Sequence, residues 1–340
     1  MENRHFTIVL PVRNGGEYLK ECVQSILAQS YTKFDLAILE NQSTDGSTQW
    51  LQTLNDPRIK IYPSNSDLSI EDNWARTLSI PRQEWMTFIG HDDVLTPDFL
   101  TVVNQLIDKY PDASLYQTNF TRIDEKGNII NQSESIPERE SVEDSLKGYL
   151  TLQRQSYSGF IMRTSDYNQV GGIPHFTRLL WADVALWLRL TAISYKATAA
   201  ESCFLLRIHP ESVGVSSKGK SILSALKSFL SFLQDFQQEQ PELIPVIQEA
   251  APDYFLRFAR LIYLLELVDA TKHNRKIEPK VLLSLQEMME KAKPGWGNKV
   301  GNARGLKLRA FVNSNFISRL IYILYIRIHH GARHLPSIQQ

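Results

Sequence analysis

Two adjacent acids, Asp92 and Asp93, follow the apolar run Trp85-Met86-Thr87-Phe88-Ile89 and one glycine, Gly90. Side by side at a strand end, two carboxylates repel each other unless a cation or donor groups compensate them. Mg2+ or Mn2+ suits such a pair, because it takes one or two carboxylates and completes its shell with phosphate oxygens. An exposed turn, or a helix cap ahead of Pro97, is the plainer account of the same residues. What favours the metal is company. Three other apolar runs also end on polar clusters: Pro11-Val12-Arg13-Asn14, then Glu40-Asn41-Gln42-Ser43-Thr44-Asp45, then Pro63-Ser64-Asn65. Ligands of open α/β sheets bind at the carboxyl ends of the strands. The four clusters are therefore expected on one edge.

The elements that must position them are legible in the apolar pattern. Phe6–Leu10, Asp35–Leu39, Arg58–Tyr62 and Trp85–Ile89 read as buried strands, the first ended by Pro11. Helices separate them: one carries Leu19, Cys22, Val23, Ile26 and Leu27, another begins at Trp50, a third spans Ile70–Ile80. Pro97 is expected at the first position of a fourth. Strands alternating with helices imply a mainly parallel, doubly wound α/β sheet. A hairpin around Glu125-Lys126-Gly127-Asn128 follows, then helices at Val142–Leu152 and Asp183–Ala192 and a strand at Tyr195–Ile208. After about Gly219 only helical patterns remain. The expected division is residues 1–218 as the α/β domain and 219–340 as a helical region.

The 340 residues carry 37 Lys or Arg and 37 Asp or Glu. This balance hides an asymmetry: residues 291–340 hold nine basic side chains and no acid, which leaves the rest at −9. Within that stretch Ile317, Leu320, Ile321, Leu324, Tyr325 and Ile328 recur at helical spacing. A basic amphipathic helix of this kind lies on anionic lipid or packs on the body. No nucleic-acid motif accompanies it, so nucleic acid is not expected as a partner. The two cysteines form no framework and fit a reducing compartment. No leader and no membrane-spanning run are expected, which points to a cytoplasmic protein, peripheral on the inner face of a membrane if the tail binds lipid.

Taken together the motifs resemble family 2 glycosyltransferases of the GT-A fold. The resemblance runs over about residues 5–210. It rests on Ile8-Val9-Leu10-Pro11-Val12-Arg13-Asn14, Ser25–Tyr31, Phe34–Ser47, Asn73-Trp74-Ala75-Arg76, Phe88–Asp93, Gly171-Gly172 and Trp181-Ala182-Asp183. It implies a Rossmann-like sheet and an inverting, metal-dependent transfer. The sugar would pass from a nucleoside-diphosphate-sugar, a UDP-sugar in first place, to a glycan or lipid-linked acceptor in polysaccharide synthesis. It assigns the metal, Mg2+ or Mn2+, to Asp93 and the ribose to Asp92. The nucleotide edge would comprise Pro11, Arg13, Glu40, Asn41, Asn65 and Arg76. Asp183 would be the catalytic base, for which the plainer account is a helix cap. Arg207 and His209 match a segment near the diphosphate, and Trp181 could stack on an acceptor sugar.

Three positions depart from the family pattern. Glu40-Asn41 replaces the usual Asp-Asp, so the base of the donor stays open. Gly90 stands where a further acid is common, and Ala182 replaces the Glu that often precedes the base. A nucleotidyltransferase shares the layering and the metal, but Arg13-Asn14-Gly15-Gly16 is thin for its glycine-rich phosphate loop. A non-catalytic nucleotide- or glycan-binding module is the other alternative; intact Asp92, Asp93 and Asp183 speak against it.

Overall fold

The computed structural model describes residues 3–320. Two compact units divide the chain. One comprises the residues up to His175 and Trp181–Pro210; the other joins Phe176–Leu180 to the chain from Glu211 onward.

The first unit opens with β1 (Phe6–Val12), α1 (Gly16–Leu27), β2 (Phe34–Glu40), α2 (Ser47–Gln52), β3 (Ile59–Pro63) and α3 (Ile70–Ala75). It continues with β4 (Trp85–Phe88), β5 (Val94–Leu95), α4 (Phe99–Lys109), β6 (Leu115–Ile123), β7 (Ile129–Gln132), β8 (Arg139–Glu140) and α5 (Val142–Leu150). It closes with β9 (Ile161–Arg163), α6 (Thr164–Gln169), α7 (Ala182–Ile193) and β10 (Lys196–Arg207). The strands form one mixed sheet in the order β3-β2-β1-β4-β9-β6-β10-β5, with β7 on β6 and β8 on β10. The block β3-β2-β1-β4 is parallel, as the alternation of strands and helices implies. All seven residues of β1 are buried, the signature of a strand covered on both faces. That block carries the four polar clusters on its carboxyl edge.

The structure corrects several local expectations. Pro11 does not end β1, which pairs with β2 through Val12. Successive residues of a parallel strand address opposite neighbours. The Val9 carbonyl accepts from Ile89 on the β4 side, and the Val12 carbonyl accepts from Asn41 on the β2 side. The missing N–H of Pro11 therefore faces the side that β4 leaves after Phe88, and no ladder bond is lost. Pro97 lies in a turn two residues ahead of α4. The third helix tightens into a 3-10 turn at Arg76–Ser79. The short strand β9, antiparallel to both β4 and β6, was not foreseen.

The second unit holds α8 (Val213–Ser216), α9 (Gly219–Glu239), α10 (Ile244–Lys272), α11 (Pro279–Ala292) and α12 (Arg304–Ser314). Its core interleaves Ile222, Leu226, Phe229, Leu233 and Phe236 of α9 with Phe255, Ala259 and Ile262 of α10. No helix among the described residues is long and apolar enough to cross a membrane. The amphipathic segment expected at Phe316–Ile328 lies outside the described residues beyond Leu320.

Candidate active site

The edge of β1 and β2 is knitted by its own polar side chains. Glu40 is buried. Its Oε1 accepts from the Ser43 N–H at 2.7 Å and the Thr48 hydroxyl at 2.9 Å, and its Oε2 accepts from the Gln42 N–H at 3.2 Å. Asn41 makes a reciprocal pair with Leu68: Nδ2 donates to its carbonyl at 2.9 Å and Oδ1 accepts from its N–H at 3.0 Å. Arg13 reaches the same loop through Asp67 at 2.5 Å. Arg76 gives four of its five N–H groups to the Glu40, Tyr62 and Pro63 carbonyls and to Asn73 Oδ1. Asn65 is exposed in this loop, and Pro11 is buried in β1, where it pairs with Leu39. The expected nucleotide residues thus share one edge. Glu40, Asn41 and Arg76 spend their polar groups on holding that edge rather than on facing outward.

Asp92 and Asp93 follow β4 in a tight loop whose Asp93 N–H donates to the Gly90 carbonyl at 3.2 Å. A Cβ at Gly90 would stand 2.7 Å from Asp92 Oδ1 and 3.2 Å from Asp93 Oδ2. That explains the glycine: an acid here would crowd the pair it is meant to extend. Asp92 Oδ2 lies 3.0 Å from His209 Nε2. Burial pushes the Asp92 carboxyl up, but the His209 bond and the charges of His91 and His209 outweigh it and hold it below its ordinary value. Asp93 goes the other way. Burial, then the charge of Asp92, push it well above the ordinary range, and the Arg207 N–H and Ser158 pull back only in part.

Arg207 organises this loop from beneath. Its backbone N–H donates to Asp93 Oδ1 at 3.0 Å. Its guanidinium donates to the Asp92 carbonyl at 2.9 Å, the Asp124 carbonyl at 3.1 Å and Glu21 Oε2 at 2.6 Å, and it lies 4.8 Å from the Tyr18 ring centroid. The Arg207 side chain is 1 % exposed. It therefore braces the acidic loop instead of presenting a cation to a diphosphate. His209 packs against the same Tyr18 ring at 4.9 Å. Three participants were not foreseen: Tyr18 and Glu21, which look like an ordinary outer helix face in the sequence, and Ser158, in a loop with no motif.

Asp183 is the second residue of α7. The cap position belongs to Trp181, which is left-handed (φ 61°) and makes no side-chain cap bond. Asp183 Oδ1 accepts from the adjacent Val184 N–H, at 2.8 Å, one residue inside the helix rather than at its cap position. Burial raises its carboxyl, against the Ser156 hydroxyl and the Val184 N–H. Trp187 is core: it stacks on Phe160 at 4.6 Å and Phe88 at 5.4 Å, and its Nε1 donates to the Tyr157 carbonyl at 3.2 Å. Trp181 is 9 % exposed and offers little ring surface.

Among the described residues no cluster of three or more His, Cys, Asp or Glu is arranged to hold a metal ion. The donor set still fits one of the kind that substrate phosphates complete. Burial and the charge of Asp92 raise Asp93, an effect that Arg207 and Ser158 offset only in part and that a bound cation would reverse, while Asp92 beside it is held below its ordinary value.

This architecture, a mixed sheet with paired carboxylates at its parallel edge, is the GT-A class. Residues 1–349 of TarS from S. aureus, in complex with UDP-GlcNAc, superpose with a TM-score of 0.64 over 97 % of this chain and 93 % of that one, at 14 % identity. Residues 7–173 match the model of glycosyl transferase family 2, the family this chain is similar to. The glycosyltransferase GlyG of Streptococcus pneumoniae is 25 % identical over 121 residues, 35 % of this chain and 40 % of GlyG. The mannosyltransferase PcManGT of Pyrobaculum calidifontis, in complex with GDP-Man and Mn2+, superposes with a TM-score of 0.52 over 96 % of this chain and 88 % of that one, at 12 % identity. The chain spans less than half the length of the curated relatives it matches first.

Proposed function

We propose that this protein is an inverting glycosyltransferase that moves a sugar from a nucleoside-diphosphate donor to a glycan or lipid-linked acceptor in polysaccharide synthesis. The observation that carries the reading is the Asp92–Asp93 pair at the parallel edge, one acid held low by His209 and the other raised by burial and by its neighbour's charge, which Arg207 and Ser158 offset only in part. UDP-GlcNAc in TarS supports a UDP-sugar, while GDP-Man in PcManGT keeps the base open.

Asp92 meets the ribose. Pro11, Arg13 and Asn65 line the nucleotide, with Glu40, Asn41 and Arg76 framing the wall behind them. Asp93 takes the lead in holding Mg2+ or Mn2+, which when bound offsets charge on the diphosphate. Asp183 accepts the proton of the attacking acceptor hydroxyl; its raised carboxyl brings it nearer the operating pH, where a base works best. Trp181, two residues before Asp183, contributes a contact to the acceptor sugar through the small part of its ring left exposed. The work is done at the cytoplasmic face of a membrane, where a lipid-linked acceptor would lie.

Incubation with a panel of UDP-, GDP- and dTDP-sugars and Mn2+ tests this, with nucleoside diphosphate release as the readout. Release from one donor, abolished in Asp93→Asn, is the expected result. Pyrophosphate release from a nucleoside triphosphate and a sugar phosphate would mean a nucleotidyltransferase. No release from any donor, with binding intact, would mean a non-catalytic module.

A further inference from the structure

The segment from α12 to Leu320 has two unlike faces. Its inner face is fixed to the helical unit. Leu306, Asn313 and Arg319 are buried. Asn313 Nδ2 donates to the Thr271 hydroxyl and the Arg275 carbonyl, both at 3.0 Å, and Arg319 donates to Asn274 Oδ1 at 3.1 Å and the Asn313 carbonyl at 2.6 Å. The exposed side is rich in apolar side chains: Leu308, Phe311, Phe316, Ile317 and Leu320 are between 39 % and 65 % exposed. Leu308 and Phe311 are three apart on one helix. Phe316, Ile317 and Leu320 share a side of the next turn, which Asn315 starts by accepting the Ile317 N–H at 2.9 Å. The exposure is therefore not that of an unpacked end. The segment is bolted down on one side and greasy on the other, and soluble monomers rarely leave such a patch uncovered.

The charge around this face selects its occupant. Lys307 and Arg309 flank Leu308 and are exposed. No Asp or Glu occurs in the sequence from residue 291 onward. A second copy of the same face would meet its own charge. Trp296, earlier in the stretch, has the ammonium groups of Lys293 at 4.8 Å and Lys299 at 3.4 Å from its ring centroid. An amphipathic ring between cations is headgroup-level chemistry.

We propose that the outer face of α12 and the turn after it seats on an anionic phospholipid bilayer, with its apolar side chains entering the acyl boundary and its cations on the phosphates. This deepens the membrane-facing enzyme proposed above, and rests on that reading for its purpose but not for its test.

The full chain is to be co-pelleted with vesicles of phosphatidylcholine alone and of phosphatidylcholine mixed with phosphatidylglycerol, at low and high salt. Pelleting with the anionic vesicles alone is expected, weakened by salt with a salt-resistant remainder. Lys307→Gln combined with Arg309→Gln should weaken partition about 30-fold, about fivefold for each charge. Phe311→Glu combined with Ile317→Glu should abolish the salt-resistant part without lowering the melting temperature, since both residues are exposed. Equal pelleting with both lipids, no pelleting, or variants that pellet like the parent would overturn the proposal. So would light scattering that shows a dimer which Phe311→Glu splits, because the face would then meet a second copy. Donor hydrolysis measured without vesicles in the same preparations separates the readings: binding without hydrolysis keeps the surface and removes the enzyme, and the reverse keeps the enzyme.

Discussion

The backbone N–H of Arg207 donates to Asp93 Oδ1 at 3.0 Å while the side chain of the same residue holds the Asp92 carbonyl at 2.9 Å. The last strand of the sheet thus clasps the acidic loop at two points, and a third bond ties it to Glu21 of α1. Arg207→Lys keeps the charge but loses the fork. Two hydrogen bonds to half-buried carbonyls would be left unmade, at up to about 1–3 kcal/mol each. A lower denaturant midpoint and weaker nucleotide binding are expected together. A variant with parental stability and parental nucleotide affinity would show that the clasp is incidental.

Asp93 has a linkage consequence with a definite sign. Its folded value is raised, so its contribution to stability is greatest below the ordinary carboxylate value and is lost as pH rises from there through the folded value. In the absence of divalent ions, Asp93→Asn should therefore gain on the parent between acid and neutral pH. Asp92 is lowered and behaves in the opposite sense: its contribution is present above the ordinary value and is lost as pH falls through the folded one. Melting curves of Asp93→Asn and Asp92→Asn across this range decide the matter; an Asp93→Asn protein that loses ground as pH rises contradicts the assignment.

Gly90→Ala should cost about 1–3 kcal/mol, the usual scale of overpacking, because the added methyl meets an Asp92 carboxylate that His209 restrains. Nucleotide affinity should fall with it. Unchanged affinity would mean that the loop relaxes freely.

Asp183→Asn should lower turnover by about 10²–10⁴-fold with donor affinity nearly intact. Since burial raises the Asp183 carboxyl, the amide should not destabilise the fold at neutral pH. Loss of donor binding or a large drop in melting temperature would return Asp183 to a structural role.

The parallel core was readable because strands buried on both faces leave continuous apolar runs, as Ile8-Val9-Leu10 and Leu36–Leu39 do. What followed those runs was readable too, since Asp92, Asp93, Glu40 and Arg13 are costly residue types at an apolar strand end. The three-residue β9 and two-residue β5 were not, because so few residues show no period. Nor could residue type reveal where polar groups point. Glu40 and Arg76 look like ligand contacts in the sequence, yet their bonds close on the chain's own backbone. Glu21 and Ser158 became visible only once α1 and the loop after α5 were brought to the acidic pair.

The central claim, that the Asp92–Asp93 edge is a metal-assisted nucleoside-diphosphate site, is tested most directly by titration calorimetry. UDP and GDP are titrated into the parent protein and into Asp93→Asn, each with and without Mn2+. The account requires one of the two nucleotides to bind the parent more tightly with Mn2+ present, and that enhancement to vanish in Asp93→Asn while the variant stays folded. Binding that ignores Mn2+, or an enhancement of equal size in the folded variant, would contradict it.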